Sequence, residues 1–239
     1  MQKQFMRKLT LALCLLVALA AKAQTNLQVL YDLGKGRDYM TTTVEMFKPD
    51  QWGSTYLFVD MYYNGPNHHP GLAYTEIARC LKFWNGPLSA HVEYNGGLLS
   101  VGSNYLPINN AWLGGVEYGW HDKSFTKFLN LQLLYKRIQD KNANSFQITG
   151  VWTLNYFKNK LTVSGFADFW REDNVNFTDA YAKPLSTPTN TKFVFISEPQ
   201  FWYNATPHLS LGGEVQFASN FGAVDGLKIA PKVGIKWNF

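Results

Sequence analysis

Hydrophobic and polar residues alternate with a period of two over most of this chain. Phe146, Ile148, Trp152, Leu154 and Tyr156 share one phase, and Gln147, Thr149, Thr153 and Asn155 hold the other. Leu129, Leu131, Leu133 and Tyr135 likewise oppose Asn130, Gln132 and Lys136. Leu209, Leu211, Val215 and Phe217 oppose Ser210, Glu214 and Gln216; Val233, Ile235, Trp237 and Phe239 oppose Lys232, Lys236 and Asn238. Successive side chains of a strand point to opposite faces, so the pattern describes sheet with one apolar and one polar face. It predicts twelve strands, over 27–33, 40–48, 54–63, 71–84, 88–100, 109–120, 126–137, 145–157, 160–172, 191–203, 207–217 and 227–239. Most are close to the ~9–11 residues of a tilted membrane-crossing strand, about twice the usual length in soluble sheets. No segment carries a convincing helical period, and no linker or long repeat divides the chain.

The same alternation fits a soluble barrel with its apolar face inward or a membrane barrel with that face toward lipid. Three features favour the membrane. The final residue, Phe239, is in phase with the apolar face. The connections alternate between longer ones (64–70, 101–108, 173–190) and tight ones (Asn85-Gly86-Pro87, Lys158-Asn159-Lys160, Asn204 to Thr206), the rhythm of outer loops and periplasmic turns. Aromatic residues gather near strand ends (Trp84, Trp120, Tyr156, Trp170, Trp202, Trp237), where interfacial girdles sit. Lipid tolerates no open sheet edge, so the strands must close. The expected fold is all-β: a transmembrane, antiparallel, up-and-down β-barrel of about twelve strands.

The N-terminus supplies a route to that location. Lys3, Arg7 and Lys8 precede an apolar run from Leu9 to Ala20, and Ala21-Lys22-Ala23 is a small-residue cleavage pattern. This is a secretory signal peptide over 1–23, with one barrel domain over 24–239 and the Gram-negative outer membrane as destination. Cys14 is a poor lipidation site, because Leu13 stands where a small residue is wanted. The full chain has 22 Lys+Arg and 17 Asp+Glu; four of the cations lie in the leader, leaving 18 against 17 and a net charge of +1. Nucleic-acid binding therefore has no basic patch to rest on. One cysteine, Cys80, remains after the leader, which excludes an intramolecular disulfide.

With the apolar face toward lipid, the opposite phase enters the lumen. It carries Glu45, Asp60, Glu76, Glu93, Glu117, Asp168, Glu198 and Glu214, the cations Lys82, Lys136, Lys228, Lys232 and Lys236, and the aromatics Tyr56, Phe58, Tyr62, Tyr74, Phe166 and Trp170. These groups either pair with one another and fill a closed lumen or line a narrow channel for a planar, hydrogen-bonding solute. For such a solute the rings offer stacking faces and the carboxylates accept from hydroxyl and amino groups. The expected solute contacts are Glu45, Asp60, Tyr62, Glu76, Asp168, Trp170 and Glu198. Arg79 breaks the pattern, since alternation from Glu76 aims it at lipid; a bulge re-aims it, or it lies at headgroup depth where its cost is small.

No catalytic, cofactor or metal motif stands out. His68 and His69 are adjacent in an outer loop, and His91 and His208 have no matching serine motif. His121 beside Asp122 has the character of a turn. Neither an enzyme nor a cofactor is expected, and no Cys/His spacing suggests zinc.

Several short segments resemble the Tsx-type nucleoside-specific outer-membrane channels and, more closely, their DUF5020 relatives in Bacteroidetes. They are Asp38-Tyr39, Glu45 with Phe47, Asp50-Gln51-Trp52, Phe58-Val59-Asp60, Glu76-Ile77-Ala78-Arg79, Gly165-Phe166-Ala167-Asp168, Glu198-Pro199-Gln200 and Gly213-Glu214-Val215-Gln216, with Asn220 to Gly222 after them. The resemblance implies a monomeric barrel of about twelve strands whose narrow lumen passively passes nucleosides, and it makes Arg79 a family feature. Expected partners are outer-membrane lipid, the barrel-assembly machinery and nucleosides. The alternative is a closed barrel with a structural or receptor-like role and no transport.

Overall fold

The computed structural model describes residues 24–101, 104–141, 144–181 and 183–239; the expected leader lies outside them. The strands are β1 (Gln24–Asp32), β2 (Tyr39–Asp50), β3 (Gly53–Tyr62), β4 (Leu72–Leu81), β5 (Leu88–Val101), β6 (Asn104–His121), β7 (Lys127–Ile138), β8 (Ser145–Tyr156), β9 (Leu161–Asp179), β10 (Pro184–Ser197), β11 (Gln200–Asn204), β12 (Leu209–Ser219), β13 (Val224–Asp225) and β14 (Leu227–Asn238). Each of β1 to β8 pairs antiparallel with the next. β9 meets both β10 and β11, these meet β12, and β12 pairs with β14. β14 then pairs with β1, from Asn26 opposite Asn238 to Asp32 opposite Lys232, and the ring closes. β10 and β11 share one position in the wall, so the barrel has twelve strands.

The alternation decides the two faces. In β7, Leu129, Leu131, Leu133 and Tyr135 are exposed on the outside, while Gln132, Leu134 and Lys136 are buried inside. Val233, Ile235 and Trp237 on β14 and Phe239 just after it are likewise exposed, and large apolar side chains are exposed on strands all round the ring. Water would strongly disfavour so continuous an apolar surface, and lipid matches it. The barrel is therefore transmembrane. Phe239 is tied to the closing seam by its amide, which donates to the Thr25 carbonyl at 3.0 Å.

The wall breaks once, at Glu198-Pro199. Proline has no amide hydrogen to give a sheet, and here it separates β10 from β11. The Glu198 amide still donates to Phe166 O (3.1 Å), and Pro199 O accepts from Val215 N (3.0 Å). Gly165 permits the close pass: its φ is +149°, and a Cβ there would lie 2.4 Å from the Glu198 carbonyl oxygen.

Several expectations are corrected. Residues 173–190 are mostly strand, because β9 runs to Asp179 and β10 begins at Pro184. The expected 101–108 loop is likewise largely the start of β6. On β9, Arg171 and Asp173 take outward positions and interrupt the apolar phase, and the register shifts in the β5–β6 and β9–β10 pairings. Within the β9–β10 turn, Asp179 accepts from the amides of Tyr181 (2.8 Å) and Lys183 (2.9 Å), which hold its carboxyl below its usual range. Trp170 and Trp202 are buried inside and do not belong to a girdle, whereas Trp84, Trp120 and Trp237 are exposed outside. Lys82 is exposed beyond the end of β4, outside the lumen. Arg79 does point outward. Its guanidinium grips Asp50 at 2.7 and 2.9 Å beside the tight β2–β3 turn, at a rim depth where a charge costs little.

Candidate functional site in the lumen

The lumen wall is lined by polar groups held by their neighbours along the wall. On β2 to β4, Glu45 accepts from Asn26 (2.9 Å) and the Tyr56 hydroxyl (3.5 Å), and Asp60 accepts from Thr43 (2.5 Å). Glu76 sits opposite Phe58 on β3 and Asn95 on β5. It is half-buried and makes no side-chain hydrogen bond to another described residue. Roughly opposite in the ring, Asp168 on β9 accepts from Thr149 (2.6 Å), and Glu198 at the β10–β11 break accepts from Gln216 (2.5 Å).

The aromatics predicted to stack behave differently from one another. Tyr62 lies edge-on to Tyr39, with ring centroids 6.1 Å apart, and the Lys232 ammonium stands 5.5 Å from its centroid. That contact joins β3 to β14 and narrows the passage. Trp170 is occupied: Lys136 Nζ lies 4.3 Å from its centroid, its Nε1 donates to Glu172 (2.9 Å), and it packs with Leu113, Leu134, Ile138, Val194 and Ile196. The aliphatic members of this cluster fill part of the lumen where acids, lysines and aromatic rings were expected.

The lumen-facing cations are held similarly. Lys232 donates to Glu214 at 2.6 Å across the β12–β14 seam, and Gln200 donates to the other Glu214 oxygen at 2.9 Å. Lys136 donates to Gln147 (2.7 Å), and Lys236 lies over Trp202 at 4.4 Å. Among the described residues, no ion pair joins opposite walls of the barrel. The amide and hydroxyl groups of Thr43, Thr149, Gln200 and Gln216 were not expected as partners of the lumen carboxylates, although Thr149 and Gln216 stood on the polar phase. Their signal was present, since each occupies the lumen phase of a neighbouring strand.

Toward the short-turn end the interior opens into a cavity of about 490 Å³, lined by residues including Asn155, Thr162, Asn204, Ser210 and Lys236, with Trp202 among its walls. A separate group lies on β4 to β6. The Cys80 thiol and Glu117 Oε2 approach the same ring nitrogen, His91 Nδ1, at 3.4 and 3.6 Å. His91 Nε2 meets Glu93 at 2.9 Å. Gln132 donates to Glu117 at 2.8 Å. Cys80, His91 and Glu117 could hold a metal ion.

A family model described as "Domain of unknown function (DUF5020)" matches residues 24–239. Among solved structures, the chain is similar to the NanC porin at 12% identity, covering 90% of this chain and 100% of that one, with a TM-score of 0.57. It is similar to the KdgM porin at 13% identity, covering 90% and 99%, with a TM-score of 0.47. The Acinetobacter baumannii outer membrane protein Omp33 follows at 11% identity, 91% and 98% coverage, and a TM-score of 0.43. The likeness to NanC establishes a shared barrel fold. No curated protein matches the chain.

Proposed function

The chain belongs to the DUF5020 family, and from that premise we propose that its barrel is an outer-membrane channel passing small polar solutes, nucleosides among them. The observation that carries this reading is the direction of the lumen's polar bonds. Glu214 with Lys232, Asp60 with Thr43 and Asp168 with Thr149 join neighbouring strands, so the charged side chains line the tube without plugging it by salt bridges. Barrel closure supplies the scaffold, and the site decides the function.

Glu45, Asp60, Tyr62 and Glu76 on one wall, with Asp168 and Glu198 on the other, are the groups a solute would meet. Glu76 is the foremost contact, because its carboxylate has no hydrogen-bond partner among the described residues and can accept from a solute hydroxyl. Trp170 contributes shape more than a stacking face, since Lys136 already covers its ring. Binding would be weak, because a conducting site must release what it captures. The apolar cluster around Leu113, Leu134 and Ile196 favours the rival reading, a closed structural or receptor-like barrel.

The test is planar-bilayer recording from the mature barrel with adenosine, thymidine and a sugar control. Expected are a small conductance, nucleoside-dependent block, and loss of most of that block in Glu76→Gln with folding intact. A wild-type barrel that neither conducts nor responds to nucleosides is the closed barrel.

A further inference from the structure

The group on β4 to β6 is built differently from the rest of the lumen wall. Cys80 and His91 face each other in the β4–β5 register, and Glu117 enters from β6, where it pairs with Ser89, two residues from His91. All three are buried. A ring nitrogen has one in-plane direction, holding either a proton or a lone pair. Here two groups crowd that one nitrogen, and the 3.6 Å approach of Glu117 Oε2 is too long for a good hydrogen bond. An ion on the axis would satisfy all three at once. With metal bonds of about 2.3 Å to sulfur and 2.0–2.1 Å to nitrogen and oxygen, tetrahedral ligand atoms lie roughly 3.3–3.6 Å apart. The observed separations from Nδ1 are 3.4 and 3.6 Å.

The surroundings have the form of an outer shell. Metal-bound histidines usually give their second ring nitrogen to a carboxylate, which fixes the tautomer, and His91 Nε2 meets Glu93 at 2.9 Å. Glu117 is oriented by Gln132 at 2.8 Å and Asn130 at 3.3 Å. The other Glu93 oxygen, Oε1, is buried without a partner; charge on the ion would offset the cost of holding that carboxylate there.

We infer that Cys80, His91 and Glu117 form a three-ligand site on the lumen wall for a zinc-class divalent ion, with one coordination position left open. One thiolate, one imidazole and one carboxylate suit zinc better than magnesium or calcium, which prefer all-oxygen shells. On binding, the thiol proton and any proton on Nδ1 leave to solvent, so affinity rises with pH.

The experiment uses the mature, untagged barrel refolded in detergent, stripped with chelator, then exposed to zinc or cobalt(II). Expected are one retained ion per barrel, a thiolate-to-cobalt charge-transfer band, and maleimide labelling of Cys80 slowed at least tenfold by zinc and restored by chelator. Cys80→Ser and Glu117→Gln should each abolish the band while keeping the heat-modifiable mobility of a folded barrel. Glu93→Gln should weaken binding about 10–100-fold. Thiol protection is read on the wild type, so it stands even if a variant does not fold. An unchanged labelling rate with zinc, ion binding of equal affinity in Cys80→Ser, or a cobalt spectrum without the thiolate band would each overturn the site.

Discussion

Lys232→Met isolates one seam interaction and gives the most quantitative test of how the lumen is held. Lys232 and Glu214 face each other across β12 and β14, 2.6 Å apart, with side chains only 3% and 5% exposed. Methionine keeps the stem's apolar volume and removes the charge. Glu214 then keeps the Gln200 amide at 2.9 Å but loses its counter-charge. Stranding one partner of a buried pair costs about 3–5 kcal/mol. With a urea dependence of roughly 2 kcal/mol per molar for a protein of modest size, the unfolding midpoint should fall by about 2 M. Removing both charges, in Lys232→Met with Glu214→Leu, should restore most of that loss, because an apolar pair of similar volume is often as stable. The assay is tryptophan fluorescence against urea for barrels folded in lipid vesicles, checked by heat-modifiable mobility. A single variant whose midpoint moves by less than about 0.5 M, or a double variant no better than the single, would refute the argument that the seam is a desolvated ion pair.

Two further outcomes follow. Asp122 accepts from Ser124 (2.6 Å), Thr126 N (2.7 Å) and Lys127 N (3.0 Å) in the β6–β7 turn, which hold its carboxyl well below the usual range. A depressed folded value stabilises the turn above the unfolded value of about 3.9, and that contribution vanishes as pH falls through the folded value. Urea midpoints should therefore drop more on acidification in wild type than in Asp122→Asn, and equal slopes would count against it. Gly165→Ala forces a Cβ within 2.4 Å of the Glu198 carbonyl at a φ of +149°. A destabilisation of about 1–3 kcal/mol is expected, read in the same titration, and an unchanged midpoint would mean that the β10–β11 break is not tightly packed against β9.

The barrel was legible because its evidence is local. Period-two alternation appears in each strand separately, and lipid on one side with a polar lumen on the other keeps the phase from Leu129 to Tyr135 and from Val233 to Phe239. Where charged residues take outward positions (Arg171, Asp173) and the register shifts, the apolar phase is interrupted, so the outer parts of β6, β9 and β10 were assigned to loops. Nearness to a strand end suggested a girdle for Trp170 and Trp202, although their phase, shared with Asp168 and Gln200, pointed inward; the structure follows the phase. Glu198-Pro199 was visible as a motif, but its effect, a wall position shared by β10 and β11, depends on how closely β9 passes at Gly165.

By itself, then, the sequence determined the strand count, the lipid and lumen faces, and the ring of inward acids, because side-chain direction in a strand follows from position alone. Only the tertiary structure decided which groups meet. Closure of β14 on β1 brings Lys232 to Tyr62, and the paired hairpins bring Glu214 to Lys232 and Cys80, His91 and Glu117 onto one patch of wall. Those meetings depend on the register of each hairpin and on closure of β14 with β1, and period-two alternation records neither.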